Sequence, residues 1–191
     1  MALRGSELWA RRPRLLTFSK AFAWHLGRFL TWVPVAIFFN DNVADITLIN
    51  GHSMSPFLNS RPDETTARDV CLNLKYSSQH NLKRGMIVTF HTPLDPSGIS
   101  VKRVVALEGD IVRTKPPYPE PCVRVPVGHV WVEGDAGPEK SHDSNHYGPV
   151  SKRLITGRLT HIISPIEKTG PIEWQGYQRP GIVRAPSTSN F

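Results

Sequence analysis

Cysteine is scarce, and its two copies, Cys71 and Cys122, stand alone. With no CxxC pair and no histidine cluster beside them, they make neither a zinc site nor a disulfide framework. One optional disulfide stays open, although two independent small buried side chains is the better reading. The eight histidines are scattered singly, and no metal or other cofactor is assigned. Acidic residues are almost missing from the first 40 positions, where Arg4, Arg11, Arg12, Arg14, Lys20 and Arg28 face Glu7 alone. That stretch holds most of the formal net charge of +7, and the remainder is nearly balanced. Such a distribution argues against a basic face laid on a phosphate backbone, so no nucleic-acid partner is expected. Long apolar runs are lacking too: the uninterrupted stretch 29–39 is about half of the roughly 20 helical residues that a bilayer core needs. There is no internal repeat, and 191 residues are short for two full domains.

What is present falls into segments. Residues 1–20 form a basic N-terminal flank. Residues 21–40 read as a flawed membrane anchor that must take in Arg28. An arginine costs about 3 kcal/mol at the bilayer centre and much less near an end, where its stem reaches the headgroups. Trp24 and Trp32 are typical interfacial residues, and the basic flank keeps the N-terminal side in the compartment of synthesis. The lipid bilayer is thus an expected partner, and the competing reading is a buried amphipathic helix of a soluble domain. From position 41 the pattern changes to short β-type runs at 44–49, 86–91, 99–107, 110–114, 122–127, 130–133 and 158–164. Pro-Gly-Asp-Ser clusters at 92–98 and 115–121 separate them, as the 17 prolines and 14 glycines lead one to expect. The fold class is mainly β, with one domain over 41–165. Residues 166–191, rich in Pro, Gly, Ser and Thr, read as a loosely held tail.

Three stretches carry chemistry: Asn50-Gly51-His52-Ser53-Met54-Ser55-Pro56, then Val101-Lys102-Arg103-Val104-Val105-Ala106-Leu107-Glu108-Gly109-Asp110, then Glu133-Gly134-Asp135 continuing to Ser141-His142-Asp143-Ser144-Asn145. A serine hydroxyl attacks an amide only if a base takes its proton, and a neutral lysine can be that base. An ordinary lysine titrates near 10.4, so neutrality near pH 7.5 requires burial worth about 3 to 4 kcal/mol. Period two on the strand 99–107 sets Lys102 on the face of Val104 and Ala106, with Arg103 opposite. Taken singly, each stretch also has a plain reading: a solvated strand lysine, an ordinary turn around Ser53, a polar Ser-His-Asp turn. A Ser-His-Asp triad from Ser53 with His52, or with His142 and Asp143, is disfavoured because adjacent loop residues point apart.

Together, in this order and spacing, the three stretches resemble the type I signal peptidase family and, within it, the mitochondrial inner membrane peptidases of the second-subunit type. The resemblance covers residues 44–164. It implies a signal-peptidase-like β domain behind one transmembrane helix, with Ser53 as nucleophile and Lys102 as general base. It also implies that the Ser53 N–H forms part of the oxyanion hole, that Met54 packs beneath the substrate channel, that Ser141 orients the lysine amine and that Asp143 braces the site. Gly51 stands where many bacterial relatives have a serine that supplies the second oxyanion donor. Asn145 stands where they have an arginine paired with the acid, so Arg103 is the expected partner of Asp143. Ser141 also lies one residue further from Gly134-Asp135 than is usual. The expected substrates are precursor presequences, the expected partner is the other catalytic subunit in a heterodimer, and the expected place is the mitochondrial inner membrane with the domain in the intermembrane space. A non-catalytic stabilising subunit is the alternative, and a soluble self-cleaving repressor with Ser/Lys chemistry is a third.

Overall fold

The computed structural model describes residues 15–59 and 68–183. The chain divides into two units, Met1–Asn40 and Asp41–Phe191. The first is built on helix α1 (Leu15–Asn42). Its segment Phe22–Asn42 has 21 residues and a mean hydropathy of 1.3, long and apolar enough to cross a membrane, and none of it is buried, unlike a core helix of a soluble domain. At 1.5 Å per residue it extends about 30 Å. The Arg28 guanidinium lies 4.8 Å from the centre of the Trp24 ring, one turn toward the N-terminus, which is the direction a snorkelling side chain takes. The basic flank at 1–14 lies outside the described residues.

The second unit is mainly β. Its large antiparallel sheet runs in the order β1 (Ala44–Leu48), β2 (Val70–Leu74), β9 (Ile155–Ser164), β3 (Ile87–Thr92), β4 (Asp95–Ala106), β7 (His129–Glu133), β8 (Val150–Ser151), with β10 (Gly170–Pro171) paired to β9. A second sheet of three strands runs β11 (Ile182–Val183), β5 (Ile111–Arg113), β6 (Cys122–Arg124). Three apolar clusters hold these layers. Ile49, Met54, Leu58, Cys71, Ile87 and Leu159 meet on one side of the large sheet. Val88, Phe90, Val104, Val130, Val132 and Ile155 form another cluster. Val105, Ala106, Val112, Val125 and Trp131 tie the large sheet to the small one.

Three sequence expectations change. Strand β2 has no counterpart among the expected runs because its inward positions are Cys71 and Asn73, and a buried amide breaks the apolar alternation. Asn73 is satisfied instead by accepting from Thr89 Oγ1 at 3.2 Å. Cys71 is buried but Cys122 is exposed, and both are free thiols, so the pair of buried side chains holds for only one of them. Residues 166–183, expected to be loose, are held: Ile172 is buried, β10 and β11 pair with β9 and β5, and Arg179 reaches Glu133 at 2.6 Å. The Pro and Gly content breaks long elements here, but Ile172, Tyr177 and Ile182 still supply apolar contacts.

Candidate active site

The loop carrying Ser53 is anchored from beneath. Met54, 1% exposed, and Leu58, fully buried, plug into the cluster of Ile49, Cys71 and Ile87, leaving Ser53, next to Met54, half-buried. Met54 is therefore a core anchor of the loop. The turn is closed by Ser55 N–H to His52 O at 3.0 Å and Leu58 N–H to Met54 O at 2.9 Å. Gly51 has φ +87°, where a side chain is strained. Its carbonyl accepts from Asn59 Nδ2 at 3.1 Å. Asn59 and Asp69 pin the loop base reciprocally: Asn59 N–H donates to Asp69 Oδ2 and Asp69 N–H to Asn59 Oδ1, both at 2.9 Å, while Asn59 Nδ2 also donates to Ile49 O at 2.8 Å. Sequence reasoning missed this pair, since ten positions of intervening chain hide any local signal.

Lys102 lies in the middle of β4, across from Val88 on β3, and only 4% of it is exposed. On the other side, β4 and β7 pair through Arg103 and Glu133, so the next residues along are Lys102 and Gly134. Gly134 is the hub of the site. A Cβ there would collide with the Ser53 carbonyl oxygen and with the Ser141 hydroxyl, which places both serines against its backbone. Its N–H donates to Asp143 Oδ2 at 3.0 Å. The next residue but one, Ala136, donates its N–H to Ser53 O at 3.1 Å. The serine loop, the strand carrying Lys102 and the 141–145 segment thus converge on one glycine.

Burial lowers the Lys102 amine to about 8, and the attraction of the Asp143 carboxylate opposes that fall. The larger effect is desolvation, because the ammonium loses water on a strand whose residues 102–106 are all buried. No carboxylate forms an ion pair with Lys102 among the described residues. Neither the Ser53 hydroxyl nor the Lys102 amine hydrogen-bonds another described residue. The Ser141 hydroxyl is also buried without a partner, a free donor and acceptor beside Ser53.

Asp143 is braced differently from the expectation. Arg103 does not pair with it: the guanidinium takes Asp135 in a fork, Nε to Oδ1 at 2.9 Å and Nη2 to Oδ2 at 2.5 Å, and Nη1 donates to Gly85 O at 2.9 Å. Asp135 is nearer along the ladder, two residues past the β7 partner of Arg103. Asp143 instead accepts from the Asn145 N–H and from Asn145 Nδ2, each at 3.0 Å, beside the Gly134 N–H. Neutral donors replace the arginine of the bacterial pattern, and Asn145 Oδ1 passes the connection on by accepting from Lys115 N–H at 2.9 Å. His52 and His142 are exposed, and His142 stacks on His146 at 4.3 Å. Among the described residues no group of three or more His, Cys, Asp or Glu is placed to hold a metal ion. A groove of about 630 Å³, lined by Gly51, His52, Ser53, Ser55, Asp135 and Ala136, opens over the serine.

The mainly β domain, with an anchored serine loop facing a groove, has a serine-type signal peptidase fold, as comparison with known proteins shows. Residues 22–117 match the family described as signal peptidase, peptidase S26, and the chain belongs to that family. It is 38% identical over 165 residues, 85% of this chain and 88% of the other, to mitochondrial inner membrane protease subunit 2 of Schizosaccharomyces pombe. It is 41% identical over 143 residues to the Saccharomyces cerevisiae protein of that name, covering 74% of this chain and 80% of the other. Human mitochondrial inner membrane protease subunit 1 is more distant, 35% identical over 130 residues, with 67% and 74% covered.

Proposed function

We propose that this chain is the second catalytic subunit of a mitochondrial inner membrane peptidase, an endopeptidase in which Ser53 is the nucleophile and Lys102 the general base. One observation carries the reading: Lys102 is buried, its amine is lowered to about 8, and the strand that holds it meets the Ser53 loop at Gly134. In the reaction Ser53 Oγ bonds to the scissile carbonyl carbon as its proton passes to the Lys102 amine. The tetrahedral oxyanion is held by the Ser53 N–H and a second donor. Collapse breaks the C–N bond, and the lysine ammonium returns the proton to the departing amine. Water then hydrolyses the acyl-enzyme, with Lys102 taking a proton once more. Ser141, whose buried hydroxyl has no partner, is available to orient the amine, and Asp143 fixes the 141–145 turn against Gly134.

The apolar part of helix α1, Phe22–Asn42, anchors the protein in the inner membrane, with residues 1–20 as its basic flank and the peptidase domain in the intermembrane space. Its substrates are presequences of proteins sorted to that space, bound as an extended segment along the groove. Its partner is the other catalytic subunit, a reading supported by the likeness to proteins named as both subunits 1 and 2. The test is Ser53→Ala in the full chain, assembled with its partner in a reconstituted membrane. Presequence cleavage assigned to this subunit is expected to fall to background while assembly is normal. Cleavage at the full rate would make the chain a stabilising subunit without chemistry of its own.

A further inference from the structure

Arg103 is buried, 3% exposed, and its guanidinium carbon lies over two aromatic rings. Phe57, from the loop that carries Ser53, lies 4.7 Å from the guanidinium carbon on the measure of ring centre to cation. Tyr177, from the C-terminal segment, lies at the same distance, 4.7 Å. In its own plane the cation holds Asp135, beside Gly134, and the carbonyl of Gly85. One side chain adjacent to Lys102 thus joins the nucleophile loop, the base strand, the end of β7 and the C-terminal segment.

We infer that Tyr177 is a positioning residue of the peptidase site, acting through Arg103 to set the serine loop and the Lys102 strand relative to each other. The segment that delivers it is itself fixed at several points. Arg179 pairs with buried Glu133, which also accepts from Lys115 Nζ and Trp131 Nε1. Strand β11 hydrogen-bonds β5, and a Cβ at Gly85 would strike the Trp174 carbonyl and the Tyr177 Cβ, so Gly85 exists to let the segment come this close. Residues 172–183 lie beyond the family match at 22–117, and they close the site by laying an aromatic ring on the buried Arg103 guanidinium. Cation–π attraction grows when the cation is desolvated, as Arg103 is, and requires a ring rather than mere apolar volume.

The inference rests on the Ser/Lys reading, and the experiment separates the two. Presequence-peptide cleavage by the full chain, assembled with its partner in membranes, is measured as kcat and KM for Tyr177→Phe, Tyr177→Leu, Phe57→Leu and Ser53→Ala. Tyr177→Phe keeps the ring and is expected within about twofold of the parent kcat. Tyr177→Leu keeps apolar volume without the ring and is expected to lose about tenfold in kcat with KM little changed. Phe57→Leu, at an exposed position of the serine loop, is expected to give the same loss through the other ring and serves where Tyr177→Leu does not fold. Parental kcat in either leucine variant beside an inactive Ser53→Ala overturns this inference alone, as does a tenfold loss in Tyr177→Phe. Activity in Ser53→Ala overturns the Ser/Lys reading and this inference with it.

Discussion

Replacing Lys102 by methionine keeps the apolar stem of the side chain and removes the amine whose charge burial opposes. The amine falls from the ordinary 10.5 to about 8 in the folded protein. That difference corresponds to about 3 kcal/mol by which folding is penalised while the ammonium is charged. Because the folded value lies below the unfolded one, the penalty is fully present below about pH 8. It fades as pH rises through 10.5, above which the amine is neutral in both states. Lys102→Met is therefore expected to be inactive and yet more stable at pH 7, with its advantage shrinking by about 2 to 3 kcal/mol at pH 10. The substitution also removes an attraction to Asp143, which offsets part of the gain at neutral pH, so the change of the gap with pH is the decisive quantity. Denaturant unfolding of the full chain in detergent micelles, followed by tryptophan fluorescence at both pH values, measures it. A gap that is the same at pH 7 and pH 10 would refute a desolvated, titrating lysine.

Two further substitutions test the hub. Gly134→Ala drives a methyl group into the Ser53 carbonyl and the Ser141 side chain, and since one of these is backbone the cost is expected to be about 2 kcal/mol or more, with cleavage abolished; unfolding midpoints and peptide turnover check both. Ser141→Ala removes a buried hydroxyl that has no partner, so stability is expected to rise by about 1 kcal/mol while kcat falls, and a variant that loses stability would show that the hydroxyl is already satisfied.

The mainly β fold class behind one apolar helix was legible in the sequence, as was the choice of candidate residues, while several details of the scaffold were not. Ser53, Lys102, Ser141 and Asp143 stood out because their residue types and order resemble one family, and the apolar face of Val104 and Ala106 already implied a dry wall for the lysine. The partner of Asp143 was not legible: both Arg103 and Asn145 were chemically suitable, and only the register of β4 on β7 sends Arg103 to Asp135. Strand β2 was hidden by the inward amide of Asn73. The hold of the C-terminal segment is not legible because composition reports backbone punctuation, whereas that hold comes from a few side chains at long range. Tyr177 and Arg179 carry no local signature of that role. The same is true of the Asn59 and Asp69 pair, whose hydrogen bonds cross ten positions of chain.

The most direct test of the central claim, that neutral Lys102 deprotonates Ser53, is the pH dependence of presequence cleavage. With the amine at about 8, roughly a tenth is neutral at pH 7 and roughly nine tenths at pH 9. Cleavage is expected to rise about tenfold across that interval and then level off, with a further tenfold fall from pH 7 to pH 6. A rate that stays flat from pH 8 down to pH 5 would contradict the lysine as base.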